Sequence, residues 1–247
     1  MQNNTMRGFH IHLITTGGLS LLFYLGLLNL SKEFNWGEGY PRRPIPEYLL
    51  LYFSLFVIYA LAVWRTLRSR TDARAVWWIF GLGLGFRLIL MPANQIQEDD
   101  IYRYLWDGKV FAHGVNPYRY APDEVTEFKR FMIQEPSRFA HTYDGASVRE
   151  LETLAQLKWE NERALTFMER INHPHLPTIY PPLAQYVFRL VAGLAPDSIL
   201  AMRLAFLGFD LMTFFFLTAL LKALGKPPAW SLIYFWSPLI VKETFNS

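Results

Sequence analysis

The sequence predicts an all-α protein that crosses a membrane several times and carries one long polar loop. Only 18% of its 247 residues are charged, compared with about 25% in soluble proteins. Aromatic residues make up 17% of the chain, and Trp and Tyr accumulate where membrane proteins meet the lipid–water boundary. Several stretches also approach the roughly 20 apolar residues that a helix needs to cross the hydrocarbon core.

Charge and cysteine content exclude several other classes. The net charge is only +3 and the basic residues form no continuous stripe, so nucleic-acid binding is not expected. The absence of cysteine excludes disulfides and thiolate metal sites. The first apolar stretch lacks a small-residue cleavage site and is soon followed by a second one, which favours a membrane helix over a cleaved signal peptide.

Six apolar segments are candidates for membrane helices: Ile11 to Leu30, Tyr48 to Trp64, Ala75 to Met91, Tyr180 to Leu194, Ile199 to Leu221 and Ala229 to Val241. The fourth is short and contains Arg189, so it either crosses marginally or lies as a half-helix in the outer interface; we expect the second. The sequence therefore predicts five or six transmembrane helices.

The orientation follows from basic residues in short loops, which favour the cytoplasm. Four arginines (Arg65, Arg68, Arg70 and Arg74) follow the second helix, against the single acid Asp72. The polar loop at 93–178 should then face outward, and residues 93–177 carry 14 acidic and 10 basic side chains. An acidic outer loop opposite an arginine-rich inner loop is a consistent arrangement.

Within the long loop, the segment from Val148 to Ile171 has apolar residues at helical spacing. Asp144-Gly145 and Pro174 flank it as helix breakers. We predict one helix, which either lies on the membrane surface or packs on its own protein. The run from His173 to His175 is interpreted as a loop.

The densest polar cluster is the segment from Glu98 to Gly108. In a helix, Asp99 and Arg103 are one turn apart, and so are Arg103 and Asp107, which would give a solvated ladder of ion pairs. Alternatively, consecutive carboxylates where a membrane helix meets water can serve as a general base. Asp99 and Asp100 could also supply oxygen ligands to a divalent cation such as Mg²⁺ or Mn²⁺.

The order of motifs along the chain resembles a known family. The pattern Asp-Asp-x-x-Arg-Tyr-x-Trp-Asp-Gly at 99–108 is followed by Gly-x-Asn-Pro-Tyr at 114–118 and Tyr-Pro-Pro-Leu at 180–183. A helix with an internal Asp210 and a Ser-Pro-Leu segment ending near Glu243 come next. This is similar to the GT-C superfamily of integral membrane glycosyltransferases, in particular bacterial polyprenyl-phosphate-sugar-dependent, mannosyltransferase-like members. The resemblance covers 75–247, whereas 1–74 holds two extra helices and the arginine-rich cytoplasmic loop.

The resemblance implies inverting transfer of a hexose such as mannose from a polyprenyl-phosphate donor to a hydroxyl of a glycan or lipid acceptor. The chain would lie in the bacterial inner membrane, with its long loop in the periplasm. Asp99 or Asp100 would be the catalytic base. Arg103 and Arg87 are candidates for the donor phosphate, since a guanidinium suits phosphate, although Arg87 could instead pair with Asp210. The supporting residues are Glu98, Trp106, Asp107, Asn116, Tyr118, Tyr180 and Glu243.

Members of that family usually have more membrane helices than this chain, so we expect the chain to be the N-terminal part of a longer protein. An inactive fragment is one alternative function, and a membrane transporter is another. A transporter would need polar residues that line its spans, and Arg87, Arg189, Arg203 and Asp210 are the candidates. A metal-dependent lipid phosphatase would need phosphate-site signatures that the sequence lacks.

Overall fold

The computed structural model describes residues 2–37 and 40–246, and every regular element within them is helical. The elements before the long loop are α1 (Gln2–Ser31), a 3₁₀ turn (Tyr40–Arg42), α2 (Ile45–Arg68) and α3 (Ala73–Leu90). Those of the long loop are α4 (Asp100–Ala112), α5 (Pro122–Gln134), α6 (Pro136–Thr142), α7 (Gly145–Lys158), α8 (Glu162–Glu169) and α9 (Pro182–Leu194). The remaining elements are α10 (Ile199–Ala223), a 3₁₀ turn (Pro228–Ser231), α11 (Leu232–Phe235) and α12 (Pro238–Asn246).

Four helices are long and apolar enough to cross a membrane: Met6–Ser31, Ile45–Arg68, Ala73–Leu90 and Ile199–Ala223. They coincide with four of the six predicted segments and support the membrane class. The α9 helix has only 13 residues, fewer than the roughly 20 that a span needs. The count of five or six spans therefore stays a prediction.

The segment predicted as one helix from Ala229 to Val241 is instead divided between a 3₁₀ turn, α11 and α12. The break falls at Trp236 and Ser237, directly before Pro238. Proline has no N–H to donate and disfavours helical backbone in the residue before it. Pro238 therefore starts a new helix rather than continuing the previous one.

The chain forms two compact units, which are described separately. The membrane unit comprises 1–97 and 206–247, and the loop unit comprises 98–205. The residues of each unit contact one another more than they contact the other unit. The predicted domain boundary after residue 74 stays a prediction.

Glycines allow close packing in the membrane unit. A Cβ on Gly83 would lie 2.5 Å from Cδ1 of Phe235, and one on Gly17 would lie 2.5 Å from Cδ1 of Leu82. Both distances are shorter than real Cβ contacts, so the Phe235 or Leu82 side chain would have to shift to admit a larger residue. Small residues at helix contacts are the usual way in which membrane helices gain packing contacts, because lipid gives no hydrophobic driving force between them.

The loop unit is built on the pair α4 and α9. A Cβ on Gly108 would overlap the backbone carbonyl of Phe188, so glycine is required for this close approach. Near it, the rings of Tyr104 and Phe188 stack with centroids 4.8 Å apart. Lys109 Nζ also pairs with Asp197 at 2.8 Å and with Glu160 at 2.6 Å. These contacts anchor α4 within the loop unit.

The predicted single helix from Val148 to Ile171 is wrong, because α7 ends at Lys158 and α8 starts at Glu162. The Asn161 side chain accepts a hydrogen bond from the backbone N–H of Ala164 at 2.8 Å, and asparagine is a favoured residue for capping a helix start. Apolar side chains of both helices and of the residues that follow α8 are buried within the loop unit: Leu151, Leu154, Met168 and Ile171. This supports packing on the protein itself over lying on the membrane surface.

Candidate active site at the start of the long loop

The acidic cluster lies at the N-terminus of α4. Asp100 is the first residue of that helix and Asp99 is its N-cap residue. The predicted pair of Asp99 with Arg103 is not formed, because Oδ1 of Asp99 accepts a hydrogen bond from Nη2 of Arg170 at 2.8 Å. Asp99 stands just outside the helix, so its side chain is not in register with a residue one turn later. Its carboxylate instead joins the cluster to the end of α8, where the Arg170 guanidinium also lies 4.3 Å from the centre of the Tyr102 ring.

The predicted pair of Arg103 and Asp107 is confirmed, with 2.8 Å between Nε and Oδ1. Only 7% and 2% of the two side chains are exposed, so solvent screens the pair little. Oδ2 of Asp107 accepts a hydrogen bond from Nε2 of Gln185 at 3.1 Å, and Nη2 of Arg103 donates to the carbonyl of Leu176 at 3.0 Å. Burial raises the pKa of the Asp107 carboxyl, whereas Arg103 and hydrogen bonds from Thr178 and Gln185 oppose that rise. Asp107 thus holds Arg103 in place.

A cavity of about 230 Å³ adjoins this network. Its polar walls include Glu98, Asp100, Arg103, His173 and Tyr180. All of these except His173 were predicted site residues, so four predicted residues line one cavity. Tyr180 is among them although it is 80 positions from Asp100 in sequence. His173 has a positive φ of 51°, a backbone conformation uncommon outside glycine, which is typical of a tight loop like the one predicted there.

Tyr180 contacts residues of the two earlier motifs, at 99–108 and at 114–118. Its hydroxyl lies beside the Asp100 carboxylate and the Tyr104 hydroxyl. Burial raises the pKa of the Tyr180 hydroxyl far above its usual value, and Tyr104 and Asp100 raise it further. Tyr180 is therefore a neutral donor at ordinary pH. Its carbonyl accepts a hydrogen bond from the hydroxyl of Tyr118 at 2.5 Å, and the N–H of Tyr118 donates to Oδ1 of Asn116 at 3.0 Å.

Several residues of this network had no role in the sequence prediction, including Arg170, Thr178 and Gln185. Gln185 could have been identified from the sequence, because it shares the buried face of α9 with Phe188 and Ala192. A buried amide requires hydrogen-bond partners, so a polar residue on that face indicates a network. Arg170 carried no such signal, since its partner lies 71 positions away.

Three other predicted residues are not among the walls of this cavity. Trp106 is in the loop unit, is only 7% exposed and is not among the cavity walls. Glu243 belongs to the membrane unit, where it pairs with the adjacent Lys242 at 3.0 Å. Arg87 also belongs to that unit and is fully buried.

Arg87 makes the ion pair with Asp210 that was the alternative to phosphate binding. Nε of Arg87 donates to Oδ2 of Asp210, and Nη2 donates to Oδ1 at 3.2 Å. Nη1 donates to the carbonyls of Gly83 at 2.9 Å and of Phe235 at 2.7 Å. The Tyr234 hydroxyl donates to the same carboxylate at 2.7 Å. A role for Arg87 at the donor phosphate stays a prediction.

The carboxylates fit a divalent cation poorly. Among the described residues, no group of three or more His, Asp or Glu side chains is arranged to hold a metal. Asp99 is also paired with the cationic Arg170. A divalent cation at Asp99 and Asp100 therefore stays a prediction.

No protein-family model, curated protein or solved structure matches this chain. The resemblance to the GT-C superfamily therefore rests on the order of sequence motifs between 99 and 243 alone.

Proposed function

We propose that this chain is a GT-C-type membrane glycosyltransferase that moves a hexose such as mannose from a polyprenyl-phosphate donor to a hydroxyl of a glycan or lipid acceptor, with inversion. The observation that carries the proposal is that the carboxylate of Asp100 and the guanidinium of Arg103 line the same cavity. A base and a phosphate-binding cation are the two groups that this reaction needs from the protein.

In this reaction Asp100 is the general base. The acceptor hydroxyl loses its proton to the Asp100 carboxylate while its oxygen bonds to the anomeric carbon. The bond between that carbon and the phosphate oxygen breaks, and polyprenyl phosphate leaves. Asp100 is favoured over Asp99 because Asp99 does not line the cavity and is held by Arg170.

Arg103 stabilises the negative charge that develops on the leaving phosphate. A planar guanidinium matches phosphate oxygens, and charges act more strongly where water is excluded. The Asp107 carboxylate and the Leu176 carbonyl fix the orientation of Arg103, so little reorganisation is needed when the charge appears. The long loop, in this proposal, faces the periplasm of a bacterial inner membrane.

The proposal also includes the GT-C arrangement of five or six spans. Four of them are the long apolar helices, and the divided segment at 228–246 would be the fifth. A transporter would need polar side chains facing a pathway. Arg87 and Asp210 instead bond to each other and to backbone carbonyls, which favours a structural role for them.

The test is sugar transfer by the whole chain reconstituted into liposomes with radiolabelled polyprenyl-phosphate mannose, and with the matching glucose and galactose donors. The wild type should release polyprenyl phosphate and label an acceptor from one of these donors. Asp100→Asn should lower the rate by about 10² to 10⁴, the usual contribution of a general base, whereas Asp123→Asn in the same loop unit should not. Sugar uptake without a lipid donor would favour the transporter, and no release from any donor would favour the inactive fragment.

A further inference from the structure

A groove of about 430 Å³ lies between α3 and α10 in the membrane unit. Its walls are mainly apolar: Val76, Trp77 and Phe80 from α3, and Phe214 and Phe215 from α10. Both walls belong to helices that can cross a membrane, so in a bilayer lipid chains surround this groove. Trp77 is 67% exposed and Phe215 is 50% exposed, so the protein itself leaves much of the apolar wall uncovered.

The groove is polar at one end and lined by aromatic rings at the other. Asp72 and Lys222 line it where α3 starts and α10 ends. With a rise of 1.5 Å per residue, the eight residues from Phe214 to Lys222 cover about 12 Å, roughly two fifths of the hydrocarbon thickness of about 30 Å. At the inner end, the Phe80 ring lies 5.5 Å from that of Phe214. The groove therefore admits the part of an acyl chain nearest to its headgroup.

The residues at the polar end and in the segment adjoining it carry more positive than negative charge. Lys222 is exposed and forms no ion pair within the described part of the chain. The one acid there, Asp72, has its carboxylate engaged by the backbone N–H of Ala75 at 2.9 Å and by Nε2 of His10 at 3.0 Å. The adjoining segment 65–74 adds four arginines. A cationic rim above an apolar groove complements a lipid with a negative headgroup.

We propose that this groove binds one anionic glycerophospholipid, with its phosphate at Lys222 and an acyl chain along Trp77 and Phe215. The lipid comes from the leaflet on the arginine-rich side of the membrane. A zwitterionic lipid offers the same chains but no net charge for Lys222, so the site should prefer an anionic headgroup. This inference is independent of the proposed sugar transfer.

The experiment uses the whole chain in lipid nanodiscs that contain brominated phosphatidylglycerol or brominated phosphatidylcholine, with bromines near the headgroup end of one chain. Bromine quenches nearby tryptophan, and the difference between wild type and Trp77→Phe isolates the signal of Trp77. Phosphatidylglycerol should quench Trp77 at lower mole fraction than phosphatidylcholine does. Lys222→Gln should weaken this preference about fivefold, which is the effect expected of one cation near an anionic membrane surface.

Lys226→Gln is the matched control, since Lys226 lies beyond the end of α10 and stands over the Trp230 ring at 6.0 Å rather than lining the groove. Thr218→Phe provides a second variant, because it fills the groove without changing charge and should also remove the preference. Equal quenching by the two lipids in the wild type would overturn the proposal. Equal losses in Lys222→Gln and Lys226→Gln would also overturn it, since they would indicate diffuse attraction rather than a site.

Discussion

Replacing Asp210 with asparagine removes the charge partner of Arg87 inside the membrane unit. Arg87 is fully buried and donates to both carboxylate oxygens of Asp210. Breaking a buried ion pair by removing one partner costs about 3–5 kcal/mol, because the remaining charge stays buried without compensation. The Tyr234 hydroxyl, which also donates to Asp210, adds to that loss. We therefore expect Asp210→Asn to lower the free energy of unfolding by about 3–5 kcal/mol.

The assay is reversible unfolding in mixed micelles, followed by circular dichroism and tryptophan fluorescence. Thr218→Ala is the control on the same helix, because Thr218 lies about two turns from Asp210 and its hydroxyl donates to the carbonyl of Phe214 at 2.8 Å. The double variant Arg87→Met with Asp210→Leu should recover most of the loss, since a buried pair can often be replaced by apolar residues of similar volume. A loss below about 1 kcal/mol in Asp210→Asn, or no recovery in the double variant, would refute this account of the pair.

Two further predictions concern the loop unit. Tyr118→Phe removes the hydrogen bond to the carbonyl of Tyr180; at about 0.5–1.5 kcal/mol for one net hydrogen bond, we expect sugar transfer to fall about 2- to 13-fold without loss of fold, and an unchanged rate would contradict the positioning role. The Lys109 ammonium lowers the pKa of Glu160 below its ordinary 4.5. That stabilisation is present above 4.5 and is lost as the pH falls through the lowered pKa. Lys109→Met should therefore flatten the fall of the unfolding midpoint below pH 4.5, and an unchanged pH profile would count against this contribution.

The membrane helices were predictable because they depend on local composition. A run of apolar residues of the right length is sufficient to indicate α1, α2, α3 and α10. The pairing of Arg103 with Asp107 was predictable for a similar reason, since residues four apart in a helix are neighbours whatever the tertiary fold. Both predictions need only the geometry of a single helix.

The rest depends on contacts between distant parts of the chain. Asp99 pairs with Arg170, and Tyr118 bonds to Tyr180 62 positions away; no periodicity within one helix encodes such partners. The division between α7 and α8 was missed because apolar spacing alone continues across the break. The cap at Asn161 was the local signal that could have located it.

The most direct measurement for the central claim compares Asp99→Asn with Asp100→Asn in the reconstituted whole chain. The measured quantity is the initial rate of hexose transfer from the polyprenyl-phosphate donor that the wild type uses. Asp100 lines the cavity with Arg103, whereas Asp99 is paired with Arg170. We predict that Asp100→Asn lowers the rate at least about 100-fold and that Asp99→Asn retains most of it. A full rate in Asp100→Asn would contradict the claim that this carboxylate is the base.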